Sequence, residues 1–258
     1  MSPIRVAAVI PARMGSSRFP GKPLLPIHGL SMVEHVRRRA LLCGRFSEVV
    51  VATCDEEIAR EVAGCGGKVL MTSPDHPGAT DRVAEAAARL DCTHIVNLQG
   101  DELLVLPEDL RKMVAAMERE PDLPCWNAVA SLSDPAELSD RSIVKGLLSV
   151  SGRVLFCLRD LCSLTLDPAD GFRPAHKILG ILGYRKDFLL RYRALERTPY
   201  EIAESLDQSR LIEQDVPLKA VFFSKGYAGI NERREVDGVL RCLQEDPAQQ
   251  RVMREVLA

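Results

Sequence analysis

Residues 7–25, AAVIPARMGSSRFPGKPLL, decide how the rest of the chain is read. An apolar run, Val6 to Ile10, stops at Pro11. A loop carrying Gly15, Gly21, Arg13, Arg18 and Lys22 follows before the apolar pattern returns. A short continuous apolar run is what a strand buried on both faces requires. In open parallel sheets, ligands bind beyond the carboxyl ends of the strands. A Gly-rich loop in that place brings backbone N–H groups close to a ligand. Its three cations supply the charge that a triphosphate demands. The spacing matches neither the P-loop nor the dinucleotide fingerprint. A solvated basic loop is the plain alternative, disfavoured by the position straight after a strand.

Outward from this stretch, strand and helix patterns alternate. VAAVI (6–10), EVVVATC (48–54), KVLMT (68–72) and THIVNLQ (93–99) read as strands. Residues 32–43, 55–67, 79–90 and 108–120 read as helices, with Thr80 or Asp81 near the third cap. That alternation predicts an α/β fold: a mostly parallel sheet with helices on both faces. After residue 121 the rhythm changes. CWNAVASL, IVKGLLSVSGRVLFCL, KILGILGYR and LKAVFFS read as strands of a smaller mixed or antiparallel extension. Residues 163–175 read as a loop, 186–197 as a helix, and TPYEIAESLDQSRLIEQD as one continuous helix from a Thr-Pro start. A helix pair closes the sequence. We expect one domain over 1–258, with a nucleotide-binding half (1–120) and an acceptor-binding half (121–258).

Bulk properties exclude several classes. A net charge of −2 gives no basic field, so nucleic acid is not an expected partner. No apolar run approaches the ~20 residues that span a bilayer, and the first strand starts too early for a signal peptide, so a cytoplasmic protein without membrane partners is expected. The eight cysteines form no C-x-x-C and read as free, buried thiols. Cys54 has no nearby His in sequence, so a nucleophile is not expected there. His28, His35 and His94 read as surface or packing residues, and Arg37–Arg39 as the solvated face of a helix.

IPARMGSSRFPGKPL (10–24) resembles the first signature of the acid-sugar cytidylyltransferases, I-P-A-R-x-x-S-x-R-L-P-G-K-P, and within them the 3-deoxy-manno-octulosonate (KDO) cytidylyltransferase family. Residues 49–76 resemble that family's second strand, helix and third strand, ending in Asp75-His76. VNLQGDE (96–102) matches its V-N-x-Q-G-D-E, and residues 143–160 resemble its A-V-K…G…S-R segment. The resemblance implies a three-layer, Rossmann-like nucleotide-diphospho-sugar transferase fold and an Mg²⁺-dependent enzyme of lipopolysaccharide biosynthesis. Such an enzyme moves CMP from CTP to an acidic acceptor, favoured here as KDO or a relative, and is implied to be a homodimer.

Nucleotidyl transfer asks a protein mainly for positioning and charge neutralisation. By resemblance, Arg13 and Lys22 meet the phosphates, and Arg18 faces the acceptor or the reacting phosphates. Asp101 binds metal, and together with Arg13, Arg18 and Lys22 it makes the catalytic set. Gln99 and the Ala12–Arg13 backbone hold the base, with Thr80 and Arg82 near base and ribose.

Departures from the family pattern are local. D-H-x-S-G-T-x-R reads D-H-P-G-A-T-D-R here, leaving base preference open while CTP stays favoured. The second metal Asp of G-V-D-T-P-E-D becomes Asn231 in GINERREVDG. That segment resembles the G-V-N-x-R of sugar-1-phosphate nucleotidyltransferases, and an amide oxygen can ligate Mg²⁺, so Asn231 is the second expected ligand. Asp237 is the substitute. In KILGILGYR, Ile178 and Leu182 replace the family's His and Tyr. Arg159, Lys177, Tyr184 and Gln208 remain for the acceptor, with Arg18; strand-end packing is the plain alternative for Tyr184 and Arg185. Lost polar groups shift acceptor choice strongly. Two further readings therefore stand: transfer to another anionic acceptor such as a phosphonate, and a non-catalytic nucleotide-binding paralogue.

Overall fold

A computed structural model describes residues 3–15, 18–132, 134, 136–161 and 175–258. The predicted loop 163–175 lies outside them except for Ala175, as does Cys162. The alternating half forms as read: β1 (Val6–Ala12), α1 (Met32–Cys43), β4 (Glu48–Thr53), α2 (Glu56–Gly64), β5 (Lys68–Met71), α3 (Ala79–Ala88), β6 (His94–Leu98) and α4 (Pro107–Arg119). A two-stranded ribbon, β2 (Pro26–Ile27) and β3 (Leu30–Ser31), precedes α1 and was not apparent from the pattern. The later half contributes β7 (Cys125–Ser131), α5 (Ala136–Ser139), β8 (Lys145–Leu148), β9 (Val154–Leu158), β10 (Ala175–Arg185), α6 (Lys186–Tyr192), α7 (Pro199–Glu204), α8 (Asp207–Glu213), β11 (Leu218–Phe222), α9 (Val236–Glu245) and α10 (Pro247–Leu257).

Among the described residues, the main sheet runs β11-β7-β10-β6-β1-β4-β5, with β8 and β9 extending from β10. Strands β6, β1, β4 and β5 are mutually parallel, whereas β10 is antiparallel to both β6 and β7. The mixed extension expected after residue 121 is therefore joined to the parallel half through β10. Both parities along β1 are buried, which explains its unbroken apolar run. Ala8 and Ile10 face the core under α1 and α4; Ala7 and Val9 face the core under α3 and α6.

The strand outlasts its apolar run. β1 includes Pro11, because pairing to β6 stops at Val9 while pairing to β4 continues to Ala12. A proline lacking an N–H is tolerated where a strand is already unpaired on one side. The single helix read over 198–215 is two helices. Ser205 breaks it with φ +54°, a left-handed conformation that ends α7, and α8 restarts at Asp207. The arginine run is not a solvated face either. Arg37 forks onto Glu34 at 2.7 Å, and Arg39 is fully buried, donating to the Val105 carbonyl at 3.1 Å. Burial pushes the Arg39 guanidinium down to about 10. His35 and His94 are buried packing residues, as read. The described cysteines are free thiols, and no described helix is long and apolar enough to cross a membrane.

Candidate active site

The loop after β1 is shaped by its own backbone. Gly21 adopts φ +76°, a conformation open to glycine, and its N–H donates to the Met14 carbonyl at 3.1 Å. Phe19 is buried beneath the turn, and residues 22–24 make a 3₁₀ turn that directs Lys22 inward. The Met14 N–H donates to Asp55 at the start of α2, 2.8 Å, which ties the loop to the carboxyl end of β4. Across the cleft, the turn after β6 carries Gln99 to Glu102. Lys22 Nζ and Asp101 Oδ2 meet at 2.8 Å.

Two cavities open here, at the carboxyl ends of β1 and β6. The first, of about 260 Å³, is lined by Ala12, Arg13, Arg18, Lys22, His76, Gly78, Arg82, Gln99 and Asp101, among others. Four of these are cationic and one is a carboxylate, which suits a polyanionic ligand. The second, of about 520 Å³, takes in Arg159, Lys177, Ile178, Leu182, Asp207, Gln208 and Asn231. Arg18, Ala79, Gln99 and Asp101 line both, so the two are lobes of one cleft with Asp101 at the seam.

Most residues singled out from the sequence converge on this cleft. Arg13, Arg18, Lys22, Arg82, Gln99, Asp101 and Ala12 line the first lobe. Arg82 is buried, its guanidinium donating to the Thr72 hydroxyl and the Ser73 carbonyl, so part of its hydrogen-bonding capacity is spent within the fold. In the second lobe, Lys177 donates to Glu137 at 2.7 Å and to the Gly226 carbonyl at 2.8 Å. Arg159 donates to the carbonyls of Glu204 and Arg141, both at 3.1 Å, and burial lowers its pKa, with Arg18 adding to the effect. The segment bearing Asn231 packs on the metal candidate: the Ile230 N–H donates to the Asp101 carbonyl at 3.4 Å. Glu235, at the end of the following turn, accepts from the N–H groups of Asn231 and Glu232 and fixes that segment.

Two assignments are corrected. Tyr184 lines neither lobe; it is fully buried beneath β10 beside Tyr192, with ring centroids 6.4 Å apart. Burial raises its phenol well above the usual range, and it is a core residue rather than an acceptor contact. Arg185 is strand-end structure, paired with Asp187 and the Asp122 carbonyl. Thr80 is also fully buried and lines neither lobe; its hydroxyl donates to Asp207 at 2.6 Å and accepts from Asn97 at 3.2 Å. Only its neighbours Gly78 and Ala79 reach the first lobe.

Glu102, His76 and the buried asparagines Asn97 and Asn127 received no role from the sequence, although His76, Asn97 and Glu102 stand inside its quoted motifs. Glu102 lines the second lobe and accepts from the Gly180 N–H at 2.7 Å. Burial raises its carboxyl to about 7, and Asp101 adds to the effect. His76 contacts Glu85 on α3. Asn97 stood inside the quoted V-N-L-Q-G-D-E; an amide in a buried strand was the available signal.

Comparison with known proteins shows the family and the fold. The cytidylyltransferase family model matches residues 7–220. The 3-deoxy-manno-octulosonate cytidylyltransferase of Geobacter metallireducens is 35% identical over 249 residues, covering 93% of this chain and 98% of that one. Its counterpart from Myxococcus xanthus is 41% identical, covering 85% and 88%. An 8-amino-3,8-dideoxy-manno-octulosonate cytidylyltransferase of Shewanella baltica is 37% identical, covering 84% and 89%. Among solved structures, a CMP:2-keto-3-deoxy-manno-octonic acid synthetase complexed with CTP superposes with a TM-score of 0.87 at 33% identity, covering 94% of this chain and 99% of that one. The chain belongs to the cytidylyltransferase family, and so to the nucleotidyltransferase enzymes.

Proposed function

We propose that this chain transfers CMP from CTP to a KDO-type 2-keto-3-deoxy sugar acid, with release of pyrophosphate. The observation that carries this reading is the two-lobed cleft, in which a cationic lobe and a larger mixed lobe share Arg18, Gln99 and Asp101. A triphosphate fits the first lobe by charge, with Arg13, Arg18 and Lys22 around it. The acceptor occupies the second, its carboxylate drawn by Arg18, Arg159 and Lys177. An acceptor hydroxyl then attacks the α-phosphorus from the seam, where the two lobes meet, and gives up its proton to solvent water. The bond to the pyrophosphate oxygen breaks, and the cations of the β1 loop offset the charge that develops on it.

The donor set at the seam fits a hard divalent cation. Asp101 offers a carboxylate, and Asn231 comes from the segment packed on Asp101's backbone. Among the described residues no group of three or more His, Cys, Asp or Glu side chains forms a metal cage. A magnesium ion, which keeps several waters and takes one or two protein oxygens, suits such a site. Bound there it would neutralise phosphate charge; Lys22, now held by Asp101, would turn to the nucleotide.

The test is pyrophosphate release with CTP, Mg²⁺ and KDO, alongside Asp101→Ala. Turnover with KDO that Asp101→Ala abolishes supports the reading. CTP binding without turnover on KDO or any related acid overturns it.

A further inference from the structure

The floor of the cleft is a row of side chains that crosses three strands. Asn97 on β6, Leu182 on β10 and Asn127 on β7 are partners in register. Both asparagines are fully buried, and neither lines a lobe. A buried carboxamide must satisfy both ends, one a donor and the other an acceptor. The partners here allow only one orientation.

Asn127 Nδ2 donates to the carbonyls of Ala128, at 2.8 Å, and Leu179, at 3.0 Å. Carbonyls only accept, so the amino end is committed to them and Oδ1 faces the other way. There it accepts from Gln208 Nε2 at 3.0 Å. Gln208 has thus used its amino group inward, and its carbonyl oxygen is left for the second lobe, which it lines.

A matching series starts at a carboxylate. Asp207 Oδ2 accepts the Thr80 hydroxyl proton at 2.6 Å. Having spent its one proton, Thr80 Oγ1 can only accept, and it does so from Asn97 Nδ2 at 3.2 Å. Asn97 Oδ1 then faces Gln99 Nε2, 3.4 Å away. The Gln99 carbonyl oxygen is again what remains for the cleft; Gln99 lines both lobes, and its oxygen is read as facing the acceptor rather than the base that the resemblance gave it. A side chain at Gly180 would lie 3.0 Å from the Gln99 Cγ and 2.8 Å from Glu102, so glycine there leaves room for the glutamine stem.

We propose that Asn97 and Asn127 are positioning residues that fix Gln99 and Gln208 with their carbonyl oxygens toward the cleft, so that the acceptor is recognised by the protons of its hydroxyl groups. The proposal rests on the reading of the second lobe as the acceptor site. A site built around fixed acceptors rejects an analogue that lacks the hydroxyl, because an oxygen is left unpaired. An amide free to turn over would serve donor and acceptor groups alike and lose that discrimination.

The test measures pyrophosphate release at saturating CTP with KDO and with analogues each lacking one hydroxyl. Wild type is compared with Thr80→Val, which keeps the shape and removes the relay, and Thr80→Ser, which keeps the hydroxyl. In wild type at least one analogue loses about tenfold to a hundredfold in kcat/KM. Thr80→Val acts on the series that ends at Gln99: the KM for KDO rises, kcat stays within about threefold, and the penalty of at least one analogue shrinks below about threefold. Thr80→Ser retains the wild-type penalty. Penalties unchanged for every analogue in Thr80→Val overturn the proposal, as does Thr80→Ser behaving like Thr80→Val. If Thr80→Val does not fold, Asp207→Asn gives the same readout, because a neutral amide lets the series run in either direction; an undiminished penalty there overturns the proposal. No turnover on any acid would instead overturn the function on which it rests.

Discussion

Replacing Lys22 by Met should separate the chemistry of the cleft from its stability. The substitution keeps the aliphatic stem and removes a charge whose side chain is 13% exposed and 2.8 Å from Asp101. A hydrogen bond from an ammonium to a charged partner contributes ~1.5–3 kcal/mol. At 1.4 kcal/mol per decade, that is about tenfold to a hundredfold in kcat/KM for CTP. Unscreened attraction between unit charges about 4 Å apart, at an effective dielectric of about 20, is about 4 kcal/mol and caps the loss near a thousandfold. Stability should change little, since water reaches Asp101 and a partly exposed pair contributes only ~0.2–1 kcal/mol. For a chain of this size that is a fall of at most about 4 °C in Tm. The assay is pyrophosphate release over a CTP titration, with a melting curve on each protein. A kcat/KM within threefold of wild type, with Tm unchanged, would refute the assignment of Lys22 to the triphosphate.

Other outcomes follow from the same geometry. Asn231→Asp should lower the Mg²⁺ concentration giving half-maximal activity and Asn231→Ala should raise it; equal titrations in the three proteins would remove residue 231 from the metal site. Arg210 grips Glu201 at 2.6 and 2.7 Å in a buried pair, with its guanidinium 4.3 Å from the Tyr192 ring. Arg210→Met should cost about 1–3 kcal/mol in denaturant unfolding because it leaves the buried Glu201 only the half-exposed Arg197 as ionic partner, 3.1 Å away, and a loss below about 0.5 kcal/mol would contradict this. Burial lowers the imidazole pKa of His35, His94 and His176 below the usual 6.5. The unfolded chain therefore binds protons first as pH falls, so this contribution is complete above about 6.5 and is lost below it. Urea midpoints at pH 7.5 and 5.5 should show the decline, and His35→Gln should lessen it; an undiminished decline in that variant would exclude His35 as a source.

The strands and the cationic loop were legible because each is a local pattern. A continuous apolar run and a Gly-punctuated loop are set by neighbours in sequence. What escaped depends on distant partners. The break at Ser205 is a single left-handed residue in a segment whose composition suits one helix. Arg37 reads as solvated until α2 brings the Cys65 carbonyl within 3.1 Å of its guanidinium. Tyr184 matches a family motif and shares a face of β10 with Leu182, yet it lies further along the strand, buried beside Tyr192, which no motif reports. Thr80 and Asp207 are far apart in sequence, and the Gln99 amide acquires a direction only once those two residues meet.

The place of β10 has a consequence for how the chain is made. Among the described residues, β7 and β11 reach the parallel half only through this strand, and it follows β6 by about 80 residues. At roughly 5–20 residues per second, a ribosome would release β6 some 4–16 s before its neighbour is available. Through that interval the outer edge of β6 carries unpaired N–H and C=O groups of the kind that recruit foreign strands. Nascent chains stalled before residue 175 should therefore be the aggregation-prone species during expression, and holdase chaperones should act on them rather than on the finished protein.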